Sequence, residues 1–441
     1  MRPTLLASAL ATTLALVGGA AWGANLGAIY DLARANDAVY AAAQAAYKAG
    51  LEKLPQGKAL LRPNINLSAT YSHTDTESSN TTFSKTSDPY GFTLSLVQPI
   101  YRKQNMEGYE QAKLQVLQAE QTLKVAEQEL QLRVAQAYFD VLQAQDVLAT
   151  ARAQKQAYAE QLAQARKSFE VGAATITDTH EAQARYDLTT AQEIAGLNDL
   201  EVKKRALEKI INQEAPNLAL LDEQAKVLLP EPTDMNAWVK QAEADSLAVA
   251  LGRTGQELAR REVDRQKGGH YPTLDLKASY SDNRNQTAGA VGNLSTQTGN
   301  IGVEFVLPIY QGGGTSSRVR EASASLEKAR SELDNARRQA TLDARQAYLG
   351  VISGNAQVQA LKQALVSSEA QLRSTKLGLE VGVRTRVDVL NAQQQVYTTR
   401  KDLAAARYQT LIAGLTLKAA AGSLTGADLK ALDALLVEEI K

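Results

Sequence analysis

The sequence predicts a mainly α-helical chain with a β-barrel portion, built as two copies of one plan: a β-hairpin followed by long coiled-coil helices. Three observations predict it. Segments 63–72 and 272–281 match, as do Pro99-Ile100-Tyr101 and Pro308-Ile309-Tyr310, each pair 209 residues apart. Short stretches in both halves alternate apolar and polar residues, the period of a strand with one face of each kind. Residues 103–168 contain no proline and one glycine, Gly108, so a helix of some 65 residues, about 100 Å long at ~1.5 Å per residue, is expected there.

Composition narrows the function classes first. The 441 residues carry 48 Lys+Arg against 48 Asp+Glu, a formal net charge of zero, which argues against a nucleic-acid binder. There is no cysteine, so disulfide scaffolds, thiolate metal sites and cysteine nucleophiles are excluded. Three histidines lie far apart and aromatics are 5%, a poor match to a large enzyme core.

Met1-Arg2, an apolar run over 5–17 and small residues thereafter read as a signal peptide over residues 1–24. The run is shorter than the ~20 residues of a spanning helix. The mature chain is therefore expected outside the cytoplasm, either soluble or inserted as β-strands, since only helices and closed barrels satisfy the backbone in lipid.

The first repeat is placed at 25–212, with its hairpin at about 63–100 and its helices at about 103–212. Ile65, Leu67, Ala69 and Tyr71 alternate with Asn66, Ser68 and Thr70; Phe92, Leu94 and Leu96 alternate with Thr93 and Ser95. A linker region is expected over 213–262. The second repeat spans 263–422, hairpin about 272–308 and helices about 313–422, followed by a segment over 423–441. Its strands carry Leu274, Leu276, Ala278 and Tyr280, then Ile301, Val303, Phe305 and Leu307. Polar loops are expected over 72–88 and 281–300. Such strands suit a barrel with lipid outside and water inside, and alternation alone fits an ordinary half-buried sheet equally well.

Along the helices, Ala112, Val116, Ala119, Leu123, Ala126, Leu130, Val134, Ala137, Val141, Ala144, Leu148 and Ala151 recur at steps of four and three. Leu326, Ala329, Leu333, Ala336, Ala340, Ala344, Ala347 and Val351 repeat the pattern. Two successive fours fall at Leu130 and at the equivalent Ala340, a stutter that unwinds a coiled coil locally. Four strands cannot close a membrane barrel, whose smallest form has about eight. Three copies would supply twelve; the arithmetic alone admits two or four copies as well.

At this point the residues resemble the TolC family of outer-membrane efflux and type I secretion channels, over nearly the whole mature chain. The likeness rests on Asn25-Leu26 with Ile29-Tyr30, on residues 307–313 (Leu-Pro-Ile-Tyr-Gln-Gly-Gly), and on the paired turns Phe169-Glu170-Val171-Gly172 and Leu379-Glu380-Val381-Gly382. The stretch 384–390 (Arg-Thr-Arg-Val-Asp-Val-Leu), followed by 404–408, carries it furthest.

The resemblance implies a homotrimer with a 12-stranded outer-membrane β-barrel continued by a 12-helix periplasmic α-barrel. A girdle would be built from 24–60, about 213–260 and 415–441. It implies passive export of secreted proteins or small toxic compounds, driven by an inner-membrane ABC exporter or a proton-driven pump through a periplasmic adaptor. It implies no cofactor, and contact with outer-membrane lipid. The tips Val171, Gly172, Ala173, Val381, Gly382 and Val383 would meet the adaptor. A gate network would join Arg384 to Thr177 and Asp178, and Asp388 with Asn391 would ring the entrance. Two positions depart from the family pattern: Asn391 stands where a second aspartate is usual, and Leu379 where a tyrosine is common, so weaker cation binding and a looser gate are implied.

From spacing alone the favoured reading of Asp178 is a helix cap, and of Arg384 with Asp388 an i, i+4 surface pair; the repeat symmetry and the resemblance turn the reading to the gate. Asp178, His180 and Glu181 lack the partners of a metal motif, and Gly312-Gly313-Gly314 lacks the Lys-Ser/Thr of a phosphate loop. No nucleophile–base pair is legible, so no enzyme activity is expected. The competing reading is a soluble periplasmic coiled-coil adaptor or scaffold, which leaves the four alternating strands unexplained.

Overall fold

The computed structural model describes residues 23–77, 84–222, 225, 229–287 and 294–437. The expected signal peptide therefore lies almost wholly outside the described residues. In chain order the elements are α1 (Leu26–Asn36), α2 (Ala38–Leu51), α3 (Lys53–Ala59), β1 (Asn64–Tyr71), β2 (Thr74–Glu77), β3 (Ser84–Arg102), α4 (Lys103–Glu170) and α5 (Ile176–Ile211). Then come β4 (Leu220–Leu221), α6 (Met235–Asp245), α7 (Leu247–Lys267), β5 (Thr273–Thr287), β6 (Leu294–Val306), α8 (Gly314–Glu380), α9 (Arg386–Ala420), α10 (Gly426–Leu432) and β7 (Leu436–Val437). None of the described helices is long and apolar enough to cross a membrane.

The duplication extends further than the matching residues suggest. Helices α6 and α7 start at Met235 and Leu247, 209 residues after Leu26 and Ala38 start α1 and α2. Much of the segment expected as a linker over 213–262 is thus helical and stands where α1 to α3 stand in the first half. Sequence matching misses this because helix-compatible residues substitute freely on exposed faces.

The two hairpins form one antiparallel sheet in the order β1-β3-β5-β6, with β2 extending β1 along β3. Its register sorts the side chains by row. Ile65, Leu96, Ala278 and Ile301 stand side by side, as do Leu67, Leu94, Tyr280 and Gly299. The intervening rows are polar: Asn66, Ser95, Ser279 and Asn300, then Ser68, Thr93, Ser281 and Thr298. Because alternate residues face opposite ways, these rows make one face apolar and the other polar across all four strands at this level. The next row on the apolar side, Ala69, Phe92, Asp282 and Gln297, turns polar in β5 and β6. The apolar face is uncovered: Ile65 is 61% exposed and Ile301 80%. β1 and β6 are open edges.

The strands outrun the expected loops at 72–88 and 281–300. The ladder continues through Thr74–Glu77 and Ser84 onward, and β5 and β6 reach Thr287 and Leu294. These extensions are rich in Ser, Thr, Asp and Asn on both faces. Their pairing rests on backbone hydrogen bonds, which hydrophobic alternation does not report.

Helix α4 runs 68 residues and α8 67, each paired with the shorter α5 or α9. Leu130, Val134, Val141, Ala144, Leu148 and Ala151 of the expected seam are buried. The main core lies midway along α4, where α1, α5, α9 and α10 converge on Tyr138, Phe139 and Leu142. Phe139 packs edge-on to Tyr138 at 5.6 Å and against Tyr408 at 5.7 Å. The Tyr138 hydroxyl donates to the carbonyls of Ala219 (2.8 Å) and Ala24 (3.1 Å). Those segments meet there because Ala24 bridges Leu218 and β4 pairs with β7. The segments at Ala24, at 218–221 and at Leu436–Val437 are thereby tied together at the middle of α4.

Above this level α7 packs against α4 and α8. Glu262 accepts from Arg265, Gln266 and, on α4, Gln111 at 2.9 Å. Burial alone would raise its carboxyl, but these donors outweigh it and hold the pKa down to about 2 against an ordinary 4.5. A lowered folded-state pKa adds stability above the unfolded value and loses it as pH falls through the folded one. Glu262→Gln is therefore expected to melt below the wild type at neutral pH, and the gap to close between about 4.5 and about 2. A gap independent of pH would place the stabilisation elsewhere.

Candidate functional site

The far ends of the helix pairs are built identically. Helix α4 ends at Glu170 and α8 at Glu380, each followed by a glycine in the left-handed region: Gly172 at φ 74° and Gly382 at φ 81°. The Gly172 amide donates to Phe169 O (2.9 Å) and the Ala173 amide to Ser168 O (2.7 Å). The Gly382 amide donates to Leu379 O (3.1 Å) and the Val383 amide to Gly378 O (2.9 Å). This double bond is the Schellman arrangement, which requires positive φ at the position glycine occupies. The chain then reverses and starts the return helix on a reciprocal cap. The Asp178 amide donates to Thr175 Oγ1 (3.2 Å) while Asp178 Oδ2 accepts from the Thr175 amide (3.0 Å). Thr385 and Asp388 repeat it at 2.9 and 3.2 Å. Both caps satisfy the amides that a helix start leaves unpaired.

The tips are apolar and open to solvent. Val171 is 78% exposed, Val381 65% and Val383 75%. Gly172, Ala173 and Gly382 are exposed beside them.

The predicted entrance residues fall in two places. Arg384, Asp388 and Asn391 line one groove of about 610 Å³, whose far wall is Gln371, Ser374, Thr375 and Gly378 of α8. Donors from the Thr385 backbone and hydroxyl, with the Arg384 charge nearby, hold the Asp388 carboxyl below the usual carboxylate range. Thr177 and Asp178 stand on the first turn of α5, outside that groove. Among the described residues Arg384 makes no hydrogen bond or ion pair to either. The Asp178 carboxylate is instead engaged by Thr175, and the side chain of Arg384 lies against Gly378. The expected network is thus not one within a single chain.

A different set of bonds joins the two helix pairs within the chain. Arg386 Nη2 donates to Ser168 Oγ (2.8 Å), Gln161 to Gln393, and Tyr397 OH to the Ala153 carbonyl (3.3 Å). Arg185 reaches from α5 to Asn391 and Gln394 on α9. Sequence reasoning placed Asn391 at the entrance through the family resemblance but missed its bond to Arg185 and the other partners. The only signal was the repeat itself, since Asn391 stands 210 positions after Glu181, a neighbour of Arg185. No group of metal-ligating side chains is present among the described residues, and His180 is an exposed residue of α5.

Comparison with known proteins gives this geometry a setting. The family described as Outer membrane efflux protein matches residues 29–213 and 238–423. The outer membrane protein TolC of Vibrio cholerae is 32% identical over 434 residues, 98% of this chain and 97% of that protein. The proteases secretion protein PrtF of Dickeya chrysanthemi is 32% identical over 436 residues, 96% of this chain and 94% of that one. Among solved structures, the outer membrane protein VceC of Vibrio cholerae superposes with a TM-score of 0.75 at 19% identity, covering 90% of this chain and 96% of that chain. The VceC likeness speaks for the fold. The family match over both halves and the near-full-length relatives carry the conclusion that this chain belongs to the outer membrane efflux protein family.

Proposed function

We propose that three copies of this chain form a passive export duct through the outer membrane of a Gram-negative bacterium, extended into the periplasm by its helices. The observation that carries this reading is the sheet: apolar and polar rows alternate across the middle of its four strands, which among the described residues end at two unpaired edges. An uncovered apolar face and two open edges are stable when lipid covers the one and a neighbouring copy pairs with the other. Three copies bring twelve strands, within the range of membrane barrels. The chain is a transport protein, with no enzymatic step and no cofactor in its work.

Transport through such a duct needs an energy source elsewhere. The reading assigns that to an inner-membrane ABC exporter or proton-driven pump, coupled through a periplasmic adaptor that meets the exposed tips around Val171 and Val381–Val383. The substrates are secreted proteins, small toxic compounds or both. The likeness to a proteases secretion protein supports a place in type I secretion.

At the entrance, Arg384 bonds Asp178 and Thr177 of a neighbouring copy, and the three Asp388 side chains line the constriction with Asn391. Each cap uses Oδ2 of its aspartate, so Oδ1 can serve a second partner. A planar guanidinium suits such a carboxylate.

The test is single-channel conductance of the detergent-purified protein in a planar bilayer. A small, stable, cation-preferring conductance is expected. Folded protein that never inserts would overturn the duct in favour of a soluble coiled-coil adaptor. Arg384→Ser is expected to raise the conductance several-fold. A variant indistinguishable from the parent would remove Arg384 from the gate.

A further inference from the structure

Helix α9 is held to the first-half helices near the tips by polar bonds. The apolar cluster at that level, Leu162, Ala165 and Ala182, belongs to α4 and α5 alone. One side chain, Arg185, makes two of these contacts. Arg185 Nε donates to Glu181 Oε1 at 3.1 Å on its own helix. Its Nη2 donates to Asn391 Oδ1 at 3.0 Å, and Nη1 donates to Gln394 Oε1. The Arg185 side chain is 24% exposed, so its three acceptors cover much of the guanidinium. Glu181 and Asn391 occupy corresponding positions in the two repeats, so the arginine bridges a residue and its own duplicate.

We infer that Arg185 is the positioning residue that latches the second helix pair to the first at the entrance, with the Asn391 amide as its acceptor. An amide here accepts a hydrogen bond without adding charge, and Glu181 balances the arginine. The level of Asn391 therefore has a polar clasp and no net charge, one turn from the Asp388 carboxylates. This latch lies within one chain and involves neither Arg384 nor Asp388. That it controls an entrance rests on the duct reading above.

The test uses the full-length protein with Arg185→Met, Asn391→Ala and the double variant. Two readouts are taken: open-state occupancy in bilayers, and the distance between nitroxide labels on cysteines placed at Val171 and Val381. The parent has no cysteine, so labelling is confined to those sites. Asn391→Ala is expected to shift the closed-to-open ratio by about tenfold, the worth of one charge-assisted hydrogen bond, Arg185→Met by at least as much since it also loses Gln394, and both to broaden the label distances. The double change is expected to do no more than Arg185→Met alone, because that change already removes the Asn391 bond. Arg185→Lys keeps the charge and loses the fork; it should be intermediate, and it serves if Arg185→Met does not fold. Single effects that add, or label distances equal to the parent's, would overturn the latch. Distances that broaden in protein forming no channel would leave the latch standing and sink the duct.

Discussion

Tyr138→Ala is expected to lower stability by about 3–5 kcal/mol, the usual cost of removing a large buried aromatic. The ring is fully buried at the middle of α4, in contact with Phe139, which in turn meets Tyr408. Truncation leaves a cavity at the point where α1, α5 and α9 converge, and the long rods around it leave little that could collapse inward. It also strands the carbonyl of Ala219, which loses its donor, while the Ala24 carbonyl keeps the Ala219 amide. Tyr138→Phe separates the two parts: it keeps the ring and is expected to cost about 1–3 kcal/mol, the penalty of one unmet buried acceptor. Thermal or denaturant unfolding of the detergent-purified protein measures both. If Tyr138→Ala cost no more than Tyr138→Phe, the ring would not be the centre of the core.

Asp388→Asn is expected to abolish block by a trivalent cation and to weaken cation preference. Asparagine keeps an oxygen to accept from the Thr385 amide, so the helix start survives and only charge is removed. Two unit charges at 4 Å attract by about 1 kcal/mol even in bulk water. In the proposed trimer a trivalent ion facing three carboxylates gains several such terms, and even after screening their loss should weaken block by at least about a hundredfold. Asp388 is held ionised by its cap and by Arg384, so parental block should persist below the ordinary aspartate range. Block that survives in Asp388→Asn would put the binding ring at another level of the tube.

Much of this architecture could be read from the residues. The duplicated Pro-Ile-Tyr and Val-Gly segments placed hairpins and tips, because turns and strand starts tolerate few residue types. The length of α4 followed from the lack of helix breakers. The polar ends of the strands did not show, since their pairing is in the backbone. Nor did the role of the duplicated tyrosines: Tyr138 and its counterpart Tyr348 both donate to carbonyls of connecting segments, Ala219 and Thr233. The Thr-x-x-Asp pattern of both caps was present in the sequence, but Thr175 and Thr385 drew no attention beside the aspartates. Arg185 and Asn391 are 206 positions apart, and no local rule joins them.

The unbroken course of α4 also sets how the entrance can move. Between Tyr138, fixed in the core, and the end of the helix at Glu170 there is no proline or glycine at which the rod could fold. That stretch is a stiff arm of about 48 Å, at ~1.5 Å per residue. Swinging such an arm by about 6° carries its free end about 5 Å sideways, further than any hydrogen bond at the tip can stretch. Small angular play at the fulcrum is thus magnified into complete exchange of partners at the mouth. In the proposed duct, leverage from the middle of the molecule would govern the aperture, and substitutions there should register at the tips without touching them.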